Sequence, residues 1–422
     1  MSYKKFLAAA SAALTIIVVI FMLTPGTWAQ SKGKTLYEFT GGTDGSQPFA
    51  GVVFDQAGNL YGTTYYGGTS QIGTVFELSP KAGEGWKEKV LYDFTGSDGA
   101  YPLAGVVFDQ AGSLYGTTQQ GGDGGQGPGN AFMLAPKSRG TWAESVLFGF
   151  CLGNACSYGD IIGAGLIFDE AGNLYGTTQL GGDLSCYNGY GCGVVFQLTP
   201  NPEGSWTENV LYSFTGGADG GYPVAGLIFD TAGNLYGTAP GGGVNGDGVV
   251  FELTPNPGGP WTESVLYSFC SLANCADGSG PSAGLIFDST GRIYGTAPGG
   301  GAYGSGVVFK LTPNPDGSWK EKLLHQFTGG KDGGGPGGSL IFDKAGNLYG
   351  AASNGGAGSY GVVFKLAPNP KGGWNETVLD AFGDHPGAYP TGSLVFDAAG
   401  NLYGTTSGDR ATTFGTVFEI TP

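Results

Sequence analysis

The 422 residues carry 34 acidic against 18 basic groups, so phosphate neutralisation, and with it nucleic-acid binding, is excluded. Glycine numbers 85 without a G-X-Y period, which rules out collagen, while 12 % charged and 13 % aromatic residues are the reverse of a disordered composition. With arginine only at Arg139, Arg292 and Arg410, recognition of polyanions, acidic polysaccharides included, is also disfavoured.

The chain opens with Lys4 and Lys5, an apolar run from Phe6 to Leu23, and Thr27-Trp28-Ala29 at a small-residue cleavage position. Residues 1–29 therefore read as a signal peptide with Gln30 first in the mature chain, and a retained N-terminal membrane anchor is the alternative. Secretion to an extracellular or periplasmic space is expected, with no membrane contact beyond this segment.

From there one pattern recurs seven times, close to G-L-I-F-D-x-A-G-N-L-Y-G-T-T, with its aspartate at Asp55, Asp109, Asp169, Asp230, Asp288, Asp343 and Asp397. In the fourth copy, Gly226–Phe229 predicts a short strand and Asp230–Asn234 a type I hairpin turn. Leu235–Thr238 predicts the return strand, and a glycine-rich loop over 241–248 leads to a third strand at Val249–Leu253. Thr254-Pro255-Asn256-Pro257 cannot extend a central strand, and Trp261–Phe269 supplies a fourth.

Four strands per copy with no helical period predict an all-β chain, a single seven-bladed β-propeller over 30–422 built of four-stranded antiparallel blades. Thr35–Phe39 matches a fourth strand and Val417–Ile420 a third, so the N-terminal strand is expected to join the last blade and close the ring. That exchange would hide the two sheet edges an open array exposes.

The motifs F-D-x-A-G-N-L-Y-G-T-T, G-V-V-F-x-L-T-P and T-G-G-x-D-G resemble the GloVer-type (Gloeo/Verruco) tandem repeat of bacterial secreted proteins, over essentially the whole mature chain. The resemblance implies a propeller-like extracellular protein and brings no catalytic residues with it.

Alternating strand direction puts the D-x-A-G-N hairpins and T-P-N-P loops on one face, and the glycine-rich loops and blade-to-blade loops on the other. Six cysteines fall on this second face as Cys151/Cys156, Cys186/Cys192 and Cys270/Cys275, whose short spacing predicts three local disulfides. Zinc is the competing reading, though no histidine lies near these loops.

Loops that vary on a rigid ring are where function is expected. Asp44, Asp98, Asp219, Asp277, Asp332 and Asp384 recur in the crossing loops, with Asp160 as a displaced counterpart. They read either as oxygen ligands for Ca²⁺ or sugar hydroxyls around the channel mouth, or as caps of their own turns. Tyr101, Tyr222 and Tyr389, with Tyr65, Tyr66, Tyr187, Tyr190 and Tyr303, suit stacking on sugar rings, or pack on the neighbouring prolines.

The repeating F-D aspartate is a fold device. His325 reads as a packing residue, and Asp384 with His385 as a general-base pair lacking a recognisable nucleophile. No metal or cofactor is otherwise called for, and a monomer is expected.

The leading expectation is a non-catalytic binding or scaffold propeller whose ligand is a neutral glycan or a cell-surface component. A carbohydrate-active hydrolase or lyase using channel-mouth carboxylates, or a structural surface or adhesion protein, are the alternatives.

Overall fold

The structure is a computed structural model describing residues 32–83, 85–121, 127–150, 159–256, 259–383, 386–409 and 413–422. The predicted signal segment, Cys151, Cys156, Asp384 and His385 lie outside them.

Seven antiparallel sheets follow one another, spanning 53–93, 107–149, 167–213, 228–268, 286–326, 341–381 and 395–421. The seventh sheet takes its fourth, outermost strand from β1 (Lys32–Glu38), which pairs with Thr416–Thr421. Ring closure by the N-terminal strand is as expected. No α-helix occurs among the described residues, only 3₁₀ turns at Ser138–Gly140, Tyr187–Gly189 and Ala273–Cys275. Blade six gains a short extra strand at Gly334–Pro336.

The second strand, L-Y-G-T-T or its variants, is buried along its core length in every blade, because sheets stack on both of its faces. Its central glycine makes room for a ring. A Cβ on Gly237 would lie 2.6 Å from Cζ of Phe251, and the other six copies repeat this contact.

The first strand is shorter than the sequence predicts. In blade four only Ile228 and Phe229 join the ladder, instead of Gly226–Phe229. The preceding residues bend inward to the channel wall, and their carbonyls find partners in the neighbouring blade. Thr63, Thr117, Thr177, Thr238 and Thr405 donate to the oxygens of Ala104, Ala164, Ala225, Ala283 and Ala50 at 2.7–3.2 Å. A buried carbonyl left without a donor would cost ~1–3 kcal/mol, and these threonines supply one at five blade boundaries.

The repeat motif is an interface device. In the fourth copy Asp230 Oδ1 accepts the amides of Ala232 and Asn234, while Oδ2 accepts Asn234 Nδ2 and the Tyr236 hydroxyl. The Tyr236 ring then stands edge-on to Phe287 of the next blade, with centroids 5.0 Å apart. The same Tyr–Phe contact recurs at all seven blade boundaries, ending with Tyr403 on Phe54.

Candidate functional site

The second face is assembled from two kinds of loop, and the crossing-loop aspartates are held within theirs. Asp44 accepts the Tyr37 hydroxyl at 3.0 Å, the Thr40 amide at 2.8 Å and the Thr40 hydroxyl at 2.5 Å. Asp98 does the same with Tyr92 and Thr95, and Asp219 with Tyr212 and Thr215. Asp277, fully buried, accepts Tyr267, the Ser271 amide and hydroxyl, and the Leu272 amide.

Asp332 accepts the Thr328 amide and hydroxyl and lies 3.4 Å from His325 Nε2. His325 thus stands where Tyr37, Tyr92, Tyr212 and Tyr267 stand in four other sheets, its ring edge-on to Phe327 and its pKa lowered by burial against the pull of Asp332. Burial alone would raise Asp277 and Asp332, but the hydroxyls and amides aimed at them hold both below the usual carboxylate range.

Since the tyrosines sit on the outermost strand, these carboxylates cap loops above the rim of the ring rather than converging on its centre. Asp160 differs. It lies directly before Ile161, at the inner end of its loop, and burial raises its pKa against the Ile161 amide. Among the described residues, Asp247 with Cys270 and Cys275 is the grouping of three potential metal donors, and those two sulfurs are bonded to each other. Cys186 and Cys192 are likewise joined, so two of the three expected disulfides are present and both lie in second-face loops.

A second set of acids goes unmarked in the sequence reading. Glu88, Glu144, Glu208, Glu263, Glu321 and Glu376, two residues after the tryptophans, each have Oε1 shut off from solvent without a hydrogen-bond partner. Burial pushes each up to about 7, helped in all but Glu208 by an aspartate of the preceding crossing loop. A raised glutamate beside an aspartate is the pattern of an acid/base pair. Here it is repeated at blade interfaces with the oxygen occluded, which marks it as part of the fold. The W-x-E spacing is visible in the sequence; the burial is not.

The tyrosines are brought together in pairs. Tyr65 and Tyr66 pack on Tyr101 at 5.2 and 5.5 Å, Tyr187 on Tyr222 at 5.5 Å, and Tyr360 on Tyr389 at 5.8 Å. Tyr187, Tyr190, Tyr303 and Tyr360 are all exposed, and the first two are carried on the loop pinned by Cys186–Cys192.

Tyr101, Tyr222 and Tyr389 share a further property. Their φ angles are 58°, 63° and 60°, and the equivalent residues Gln47, Ile161, Gly280 and Gly335 lie at 56°, 56°, 62° and 64°. The fold imposes this left-handed conformation. The amide of Tyr101 donates to Ile72 in the preceding blade, while its carbonyl accepts Gln119 in its own. For a bulky L-residue the conformation costs about 1 kcal/mol or more, and glycine would adopt it freely.

Two residues after each left-handed position the chain reaches the central channel, a cavity of about 610 Å³ lined by all seven inner segments. Phe49, Leu103 and Val224 line it on the side of the early blades, and Ser282, Ser339 and Thr391 on the side of the late ones. None of its lining residues is ionisable. The volume lies within the range of small-molecule sites.

Seven four-stranded blades, closed by the first strand and punctuated by one recurring hairpin, define a repeat β-propeller. The Gloeobacter/Verrucomicrobia repeat model matches residues 15–230, 153–274 and 227–422, and the chain belongs to that family.

No curated protein sequence matches the chain. Among solved structures, similarity extends to a Thermus thermophilus protein named as an oxidoreductase (glucose dehydrogenase), 15 % identical, with a TM-score of 0.46 over 93 % of this chain and 100 % of that one. A luciferin-regenerating enzyme is 12 % identical, TM-score 0.44, over 93 % and 95 % of the two chains. A Dyadobacter fermentans protein of unknown function is 11 % identical, TM-score 0.45, over 93 % and 98 %. Similarities at this level carry no argument about activity. Among the described residues no helix is long and apolar enough to cross a membrane.

Proposed function

We propose that this chain is a secreted, non-catalytic binding propeller whose second face takes a neutral glycan or a glycan-bearing cell-surface component. The observation that carries this reading is the set of tyrosine pairs on that face, Tyr66–Tyr101, Tyr187–Tyr222 and Tyr360–Tyr389. Tyrosine offers a flat apolar face to the C–H side of a sugar ring and a hydroxyl to its edge, at low conformational cost. The acidic balance of the chain favours neutral over anionic glycans. Disulfides at Cys186–Cys192 and Cys270–Cys275 suit an oxidising compartment, which supports secretion.

The test is a thermal-shift screen of the purified protein against calcium and a panel of neutral oligosaccharides, with product analysis alongside. A concentration-dependent rise in Tm with one sugar and no cleavage is the expected result, by mass action on the folded state. Silence across the panel contradicts the reading, and hydrolysis products would replace it with an enzymatic one.

A further inference from the structure

Resting on that reading, we propose that the seven left-handed positions form the rim of the site, and that one end of a neutral sugar chain enters the central channel between them. Tyr101, Tyr222 and Tyr389 would hold it. Gly280 would leave the opening through which it passes.

All seven rim positions have φ between 56° and 64°, where glycine is the unstrained residue. Glycine is abundant in this chain, yet it occupies only two of the seven. Tyrosine occupies three, each edge-on to a tyrosine from a neighbouring loop. The left-handed backbone opposes a tyrosine at these positions, and what the three add beyond Gln47 and Ile161 is an aromatic ring at the mouth of the channel.

The distribution around the ring supplies the direction. Gly280 and Gly335 are consecutive rim positions, belonging to blades five and six; a Cβ added to Gly280 would meet nothing within 4 Å, whereas one on Gly335 would lie 2.7 Å from Asn354 Nδ2, so the opening is at Gly280. The channel below is divided in the same sense. Ser282 and Ser339 line it on the side of this opening, while Leu103 and Val224 line it on the side of Tyr101 and Tyr222. A pyranose is amphipathic in the same way, with C–H groups on its faces and hydroxyls on its edges. With no ionisable group in the lining, a charged sugar would be desolvated there without a counter-charge.

The experiment is isothermal titration of the full mature chain with neutral cello-, malto-, xylo-, laminari- and chito-hexaose, paired with melting curves. Four variants are compared with wild type: Tyr101→Gly, Tyr222→Gly, Tyr389→Gly and Gly280→Tyr. The last adds a side chain in the backbone conformation that three rim tyrosines already hold, so it is expected to fold. Each tyrosine variant should keep or raise Tm while weakening the best wild-type ligand at least ~10-fold, the scale of one lost stacking contact. Gly280→Tyr should block binding with Tm within a few degrees of wild type.

If wild type binds and all four variants bind equally well, the rim inference is overturned while the binding propeller stands. Tyrosine variants that melt lower without losing affinity also overturn it, because the rings are then packing residues. If wild type binds none of the hexaoses, the functional reading fails, and this inference with it.

Discussion

The ring of Tyr403 in the last blade stands edge-on to Phe54 in the first, centroids 5.0 Å apart, while its hydroxyl donates to Asp397 at 3.2 Å. This contact repeats the one at every other blade boundary, so the closing interface is built like the six before it. Tyr403→Phe, which removes only the hydroxyl, should destabilise by about 1 kcal/mol. Phe76→Ala, at the fully buried ring that meets Phe39, the residue after β1, across the same seam, should cost ~3–5 kcal/mol in denaturant unfolding.

The pH dependence follows from two opposed sets of acids. The folded pKa values of Asp55, Asp169, Asp288, Asp343 and Asp397 are depressed, since amides and hydroxyls outweigh burial. Their contribution is present above the unfolded value and is lost as pH falls through the folded one. The six glutamates are raised to about 7, so their contribution is full below the unfolded value near 4.5 and declines as pH climbs to about 7. Stability measured by thermal melts should therefore peak near the unfolded carboxylate values and fall between about pH 5 and 7. Replacing all six glutamates by glutamine should flatten that decline. An unchanged slope would remove them as its cause.

Gly237 lies under the Phe251 ring, with 2.6 Å available to a Cβ. Gly237→Ala forces that buried ring to move in a core with no slack, and should cost ~1–3 kcal/mol in chemical denaturation. A neutral result would mean the inner strand can shift, against its burial on both sides.

Cys186–Cys192 pins the loop that carries Tyr187 and Tyr190. Replacing both cysteines by serine should lower stability by about 2 kcal/mol, the loop-closure term for so short a ring. It should also weaken any glycan bound next to Tyr222, because Tyr187 loses its fixed edge-on geometry. Unchanged affinity would place the ligand away from blades three and four.

The blade count and closure were legible because both depend on local signals: seven F-D-x-A-G-N turns, and terminal segments that match a fourth and a third strand. The two-residue first strand was not, because the residues before it turn to the channel, where Ala225 and Ala283 accept Thr177 and Thr238 of another blade. The left-handed tyrosines were hidden for a related reason. A residue before proline is expected to be extended, and at Tyr101, Tyr222 and Tyr389 inter-blade hydrogen bonds override that preference. The crossing-loop aspartates could be found from T-G-G-x-D-G. That Tyr37, Tyr92, Tyr212 and Tyr267 bind them within their own loops appears only once the outer strands are in place.

Hydrogen–deuterium exchange with and without the best-binding hexaose tests most directly whether the second face is the contact surface. Binding should slow exchange in segments 99–103, 187–193, 220–224 and 387–392, and leave the opposite-face turns at 55–59, 230–234 and 397–401 unaltered. Protection confined to those turns, or to the outer strands, would contradict the account.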